Sequence, residues 1–93
     1  MLENNKVTDK GIEIISEFLI GNTKLKELDL NDNKGITDKS APYLIEIARK
    51  SYITKIDLFS LPISAEKRKE IEELLKIPIE EREIPIKSNT KSA

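Results

Sequence analysis

The apolar residues of this chain recur every 28 positions, and a period of that length constrains the fold more than any other feature of the sequence. Adding 28 to Leu25, Leu28 and Leu30 gives Ile53, Ile56 and Leu58, and adding 28 again gives Glu81, Ile84 and Ile86. Counting back from Leu30 and Asn33 lands on Leu2 and Asn5. Ile15, Leu44 and Ile71 keep the same spacing once a one-residue insertion around Gly35 is allowed. So do Val7 with Ile36, and Thr8–Asp9 with Thr37–Asp38. Units of this size bury their apolar faces by stacking on one another.

Each unit reads as a short strand, a turn and a helix. The expected strand cores are LDL at 28–30, IDL at 56–58 and IPI at 84–86. Thr8 or Asp9 caps the first helix, which carries Ile12, Ile15, Phe18 and Leu19 and stops at Gly21–Asn22. Thr37, Asp38 or Ser40 caps the second, with Pro42 in its opening turn and Leu44, Ile47 and Ala48 facing inward. Ser64 caps the third, which runs through Ile71, Leu74 and Leu75 until Ile77–Pro78.

The segment LKELDLNDNKGITD at 25–38 fits neither a flat strand nor a helix, because its apolar positions step by three, two and then six. A coil that must turn accounts for it. Leu25, Leu28 and Leu30 point inward, Ile36 plugs the interior after the bend, and the Asn33 amide bonds backbone groups left unpaired by the turn. The pattern L-x-x-L-x-L-x-x-N-x-(x)-I resembles the leucine-rich repeat family, and the helix-bearing unit resembles its ribonuclease-inhibitor type. The resemblance covers about residues 2–89, with LKELDLNDN its most specific segment.

The fold implied is α/β, a leucine-rich repeat solenoid fragment with a short parallel sheet on the concave face and helices on the convex face. Residues 1–86 divide into units at about 2–22, 23–51 and 52–77 with a capping strand at 81–86, and 87–93 form a polar tail. Leu61 and Glu81 depart from the pattern, standing where Asn and Leu are expected, while Asn89 returns in register. Asn5, Asn33 and Asn89 are the structural amides. Degenerate units belong at the end of a stack.

Stacking by the period places the outward strand residues in rows. Glu27 lies beside Lys55, Asp29 beside Asp57 and Asn31 beside Phe59, with Glu3 preceding in the last row. The paired aspartates are read as solvated side chains, as an acidic spot for a basic partner, or as a cation site, although no third ligand is apparent. Phe59 is an interface anchor, or is covered by the C-terminal segment. Tyr43 and Tyr52 serve core or flank packing. AEKRKEIEELLK at 65–76 mixes its charges along a solvated helix face.

Composition narrows the function classes. The net charge of −1 argues against a nucleic-acid footprint, and no apolar run reaches a membrane span. Without cysteine or histidine, thiol chemistry, the usual zinc ligand sets and histidine catalysis are excluded. No cofactor and no enzyme activity are expected, and a cytoplasmic location is. What the resemblance implies is a protein-interaction module whose concave face, Glu3, Glu27, Asp29, Asn31, Lys55, Asp57 and Phe59, takes a protein partner. The alternative is a structural C-terminal cap or oligomerising fragment of a longer repeat protein, with tropomodulin-like actin-filament binding as one version. The LDL strand and first helix begin without a preceding unit, so self-association through the N-terminal edge is a further expectation.

Overall fold

The computed structural model describes residues 6–85. Among these, α1 (Asp9–Leu19), β1 (Glu27–Asp29), α2 (Ala41–Lys50), β2 (Lys55–Asp57) and α3 (Ala65–Leu75) follow in chain order. The strands pair in parallel with Glu27 opposite Lys55, Leu28 opposite Ile56 and Asp29 opposite Asp57. That register is the 28-residue period made physical. The ladder extends past the strands, through Thr54 N–H donating to Lys26 O and Asp32 N–H donating to Phe59 O. α2 packs against both α1 and α3.

Local chemistry sets each boundary. The Thr8 hydroxyl accepts the Gly11 N–H at the start of α1, and the Ser64 hydroxyl accepts the Lys67 N–H at the start of α3. The Thr37 hydroxyl accepts the Lys39 N–H, opening a 3-10 turn at Asp38–Ser40 that leads into α2, where Pro42 sits in the first turn. α1 ends before Gly21, whose φ of 81° is open to glycine at little cost. Asn22 then turns the chain into β1, its side-chain oxygen accepting the N–H groups of Lys24 and Leu25.

Ile12, Leu28, Leu30, Ile36, Leu44, Ile47, Ile53 and Ile71 are fully buried and form one cluster with Leu19, Ile56, Leu58, Leu61 and Ile63. Each such side chain contributes about 1.5–3 kcal/mol of transfer free energy. Ser16 and Ser51 are buried too, each donating its hydroxyl proton to a carbonyl of the preceding helical turn, Glu13 O and Ile47 O. Phe18 departs from the inward set of α1: it is 72% exposed.

The strand expected at 81–86 is not formed over its described part. Glu81 closes a 3-10 turn at Ile79–Glu81, residues 82–85 join no ladder, and Ile84 is only half-buried. Ile86 lies outside the described residues. The period gives Arg82 the place of Thr54, whose N–H starts the ladder by donating to Lys26 O. The Arg82 N–H is instead spent on Ile79 O. Its guanidinium meets the core unit, donating to Ser51 O at 2.8 Å and Ile53 O at 2.6 Å. Leu75 O and Ile77 O, left over at the end of α3, complete its partners. One long side chain thus closes the stack where a third strand was expected.

Candidate interaction face

Alternation along β1 and β2 puts Leu28 and Ile56 inside and the residues on either side of each outside. Glu27 and Lys55 are exposed, and Asp29 and Asp57 half-exposed. With Leu25 and Leu28 these four line a shallow groove of ≈ 360 Å³. Asn31 and Phe59 follow one step beyond the strands, and Phe59 is 68% exposed. Glu3, Asn5 and Asn89 lie outside the described residues.

The row is held by its own hydrogen bonds. The Asn31 side-chain oxygen accepts the Phe59 N–H at 2.8 Å, across one period. Asp57 accepts the same N–H at 3.3 Å, and Asp29 accepts the Asn31 N–H at 3.0 Å. Each aspartate therefore spends one carboxylate oxygen on the bend two residues later. Among the described residues no group of three or more histidine, cysteine, aspartate or glutamate side chains is placed to hold a metal ion. Tyr52, half-buried at the base of β2, carries the Lys26 ammonium 5.4 Å from its ring centre.

Behind the face, the bend after β1 turns on Asn33, which is completely buried. Its amide nitrogen donates to Leu30 O at 2.9 Å and to Asn31 O at 3.3 Å. Its oxygen accepts the Val7 N–H at 2.8 Å, from 26 residues earlier. One side chain thus satisfies its own bend and fastens the chain leading into α1. Residues 21–42 match the family model described as Leucine Rich repeat. The matched leucine-rich repeat segment holds the turn after α1, strand β1, Asn33 and the start of α2. Leucine-rich repeats typically mediate protein–protein interaction. No curated protein and no solved structure matches the chain.

Two functional side chains escape the periodic reading. At the bend after β2, Leu61 stands where the leucine-rich repeat has Asn, and Arg68 from α3 supplies the missing donors. Its guanidinium reaches Leu58 O and Leu61 O, each at 2.7 Å. Leu58 O is the counterpart of Leu30 O, so an arginine replaces an asparagine as the donor at the bend. The missing Asn at 61 was the signal that another donor was needed. Arg82 is the second, and its burial lowers the guanidinium pKa from its ordinary value.

Proposed function

We propose that the chain is a protein-interaction module of leucine-rich repeat type, without catalysis, that engages a protein partner along the outer face of its parallel sheet. The ribonuclease-inhibitor-like type and a count of about three units, each with its own α-helix, belong to this proposal. Glu27, Asp29, Asn31, Lys55, Asp57 and Phe59 are its contact residues. The observation that carries the reading is Phe59: a large aromatic, 68% exposed, with its backbone N–H held by Asn31 and Asp57. An aromatic presented on an ordered backbone beside charged side chains is the make-up of a binding hot spot, where area is gained at little entropic cost.

The test is affinity capture with the full chain as bait, comparing wild type with Phe59→Asp and with a Glu27→Lys, Asp57→Lys double variant. A protein retained by wild type and lost by both, while the variants keep the wild-type circular dichroism spectrum, supports the proposal. Retention that is indifferent to both changes contradicts it.

A second reading is a structural cap at the C-terminal end of a repeat array. It is favoured by the outer side of α3, where Glu66, Lys69, Glu70 and Glu73 surround Leu74, and by Arg82 closing off the carbonyls of the last unit. A polar last unit is what a terminal repeat requires.

A further inference from the structure

The carbonyls of Asp57 and Phe59 accept the N–H groups of Leu30 and Asp32, so these two residues turn their backbone toward β1. Alternation along the ladder turns the N–H and carbonyl of Ile56 to the opposite edge of β2, where no described residue bonds them. The next outward carbonyl, Leu58 O, is taken by Arg68. Ile56 is thus the open rung. The period sets Glu83, Ile84 and Pro85 beside Lys55, Ile56 and Asp57. In a parallel ladder the Ile56 carbonyl would accept the N–H of residue 85, and a proline has none to give. The chain's own continuation cannot complete this rung, and it turns away through the 3-10 turn at Ile79–Glu81.

Along that edge runs a groove of ≈ 390 Å³, more apolar than polar, with Ile56 and the half-buried Leu75 in its wall. Its charges are sorted, because α3 runs antiparallel to β2. Arg68, early in α3, reaches Leu58 O, whereas Leu75 O at the end of α3 shares the Arg82 guanidinium with Ile53 O. Lys76 therefore stands with Lys55 at the beginning of the strand, and Glu72 lies nearer Asp57. We propose that this edge takes one extended segment of a partner protein as a third, parallel strand. The segment carries an acidic residue opposite Lys55, an aliphatic one opposite Ile56 and a basic one opposite Asp57. Its backbone completes the Ile56 rung, and its aliphatic side chain fills the groove against Leu75. A bare strand fits where a further whole unit does not. The outer side of α3, on which another helix would pack, carries Glu66, Lys69, Glu70 and Glu73 around Leu74.

This edge is distinct from the outer face of the sheet, and the two are told apart by which amides respond. The probe is the end-capped peptide Thr-Glu-Val-Lys-Thr, titrated into the isotope-labelled full chain and followed by NMR. One short strand makes few contacts, so the dissociation constant should be on the order of 0.1–1 mM. The Ile56 amide and the Leu75 methyl groups should shift together, and the Ile56 amide should exchange more slowly in the complex than in the free chain. N-methylation of the peptide lysine removes the donor to Ile56 O, as Pro85 does, and should abolish the shifts. N-methylation of the valine, whose N–H faces away from β2 in a parallel ladder, should preserve them. Lys76→Glu should weaken binding about 2–5-fold, the effect of an exposed charge. An Ile56 amide already as protected in the free chain as those of the helices would overturn the proposal. So would shifts centred on Asn31 and Phe59, equal loss from the two methylations, or no shift at about 5 mM peptide, well above the expected constant.

Discussion

The Asp9 carboxylate accepts the backbone N–H of Thr37 at 2.8 Å, 28 residues along the chain. It also accepts the hydroxyl protons of Thr37 and Ser40. Asp38 repeats the device one unit later, accepting the Ser64 N–H at 2.7 Å. An acid at the entrance of one helix thus satisfies the chain entering the next, and the units are joined by polar bonds as well as by the core.

That joint predicts a pH dependence. Partial burial of Asp9 pushes its pKa up. The Ser40 hydroxyl, the Thr37 N–H and hydroxyl and the Lys39 charge outweigh it, and the net displacement is downward. A carboxylate with a depressed folded pKa stabilises the fold fully above its unfolded pKa, and that contribution is lost as pH falls through the folded value. Asp9→Ala should cost about 1–3 kcal/mol at pH 7, the cost of a charged hydrogen-bonding group removed from its partners. The gap to wild type should narrow as pH falls below the ordinary aspartate range and through the depressed folded value. Urea unfolding of both proteins at pH 7 and across that acid range checks it.

Arg82→Ala should lower stability by about 2–3 kcal/mol, because part-buried carbonyls that follow α2 and end α3 lose a charged donor. Arg82→Lys should recover less than half, since an ammonium cannot span Ser51 O, Ile53 O, Leu75 O and Ile77 O as the planar fork does. A shift in urea midpoint at constant slope is the readout.

Gly35 and Gly11 should respond oppositely to alanine. A Cβ at Gly35 would lie 3.1 Å from Thr8 Cγ2 and 3.2 Å from the Val7 carbonyl oxygen, and the backbone there is fixed by the Thr8–Gly35 bridge. Gly35→Ala should cost about 1–3 kcal/mol. At Gly11 the close neighbour is the Val7 side chain at 3.2 Å, which can turn aside. Within a helix alanine gains about 1 kcal/mol over glycine, so Gly11→Ala should be neutral or stabilising. Thermal unfolding of the two variants decides it.

Leu28→Ala and Leu58→Ala should each cost about 2–5 kcal/mol, as buried leucines do. Asp29→Ala should cost less, about 0.5–1.5 kcal/mol, for its bond to the Asn31 N–H. Chemical denaturation ranks the three, and an aspartate costlier than the leucines would reverse the assignment of inside and outside.

Those rankings show which parts of the fold were legible in the chain. The pairing of β1 with β2 was, because Leu25, Leu28 and Leu30 recur as Ile53, Ile56 and Leu58, and an apolar period reports directly which residues face inward. The ends of the helices were legible through Thr8, Thr37 and Ser64, whose hydroxyls act on backbone groups two or three residues away. The continuation of the period to Ile84 misled. Apolar spacing reports burial but not the fate of a backbone N–H, and that of Arg82 closes a 3-10 turn. The arginine bridges were hidden for a related reason. Arg82 reaches carbonyls 29 and 31 residues away, and nothing in a local pattern states where a long flexible side chain ends. Asp29 and Asp57, paired in the sequence as neighbouring charges, have a backbone role besides, visible only once the bends are folded.

The central claim is that side chains of one unit complete the backbone hydrogen bonding of the next and so hold the outer face in a fixed shape. Amide hydrogen exchange followed by NMR tests it most directly at Val7, Thr37, Phe59 and Ser64. All four lie outside the helices and strands, and each donates its N–H to a side chain about one period away, on Asn33, Asp9, Asn31 and Asp38. The prediction is slow exchange at these four amides, with Phe59 losing its protection in Asn31→Ala and Thr37 in Asp9→Ala. Exchange at random-coil rates in the wild-type chain, while the helices remain protected, would contradict the account.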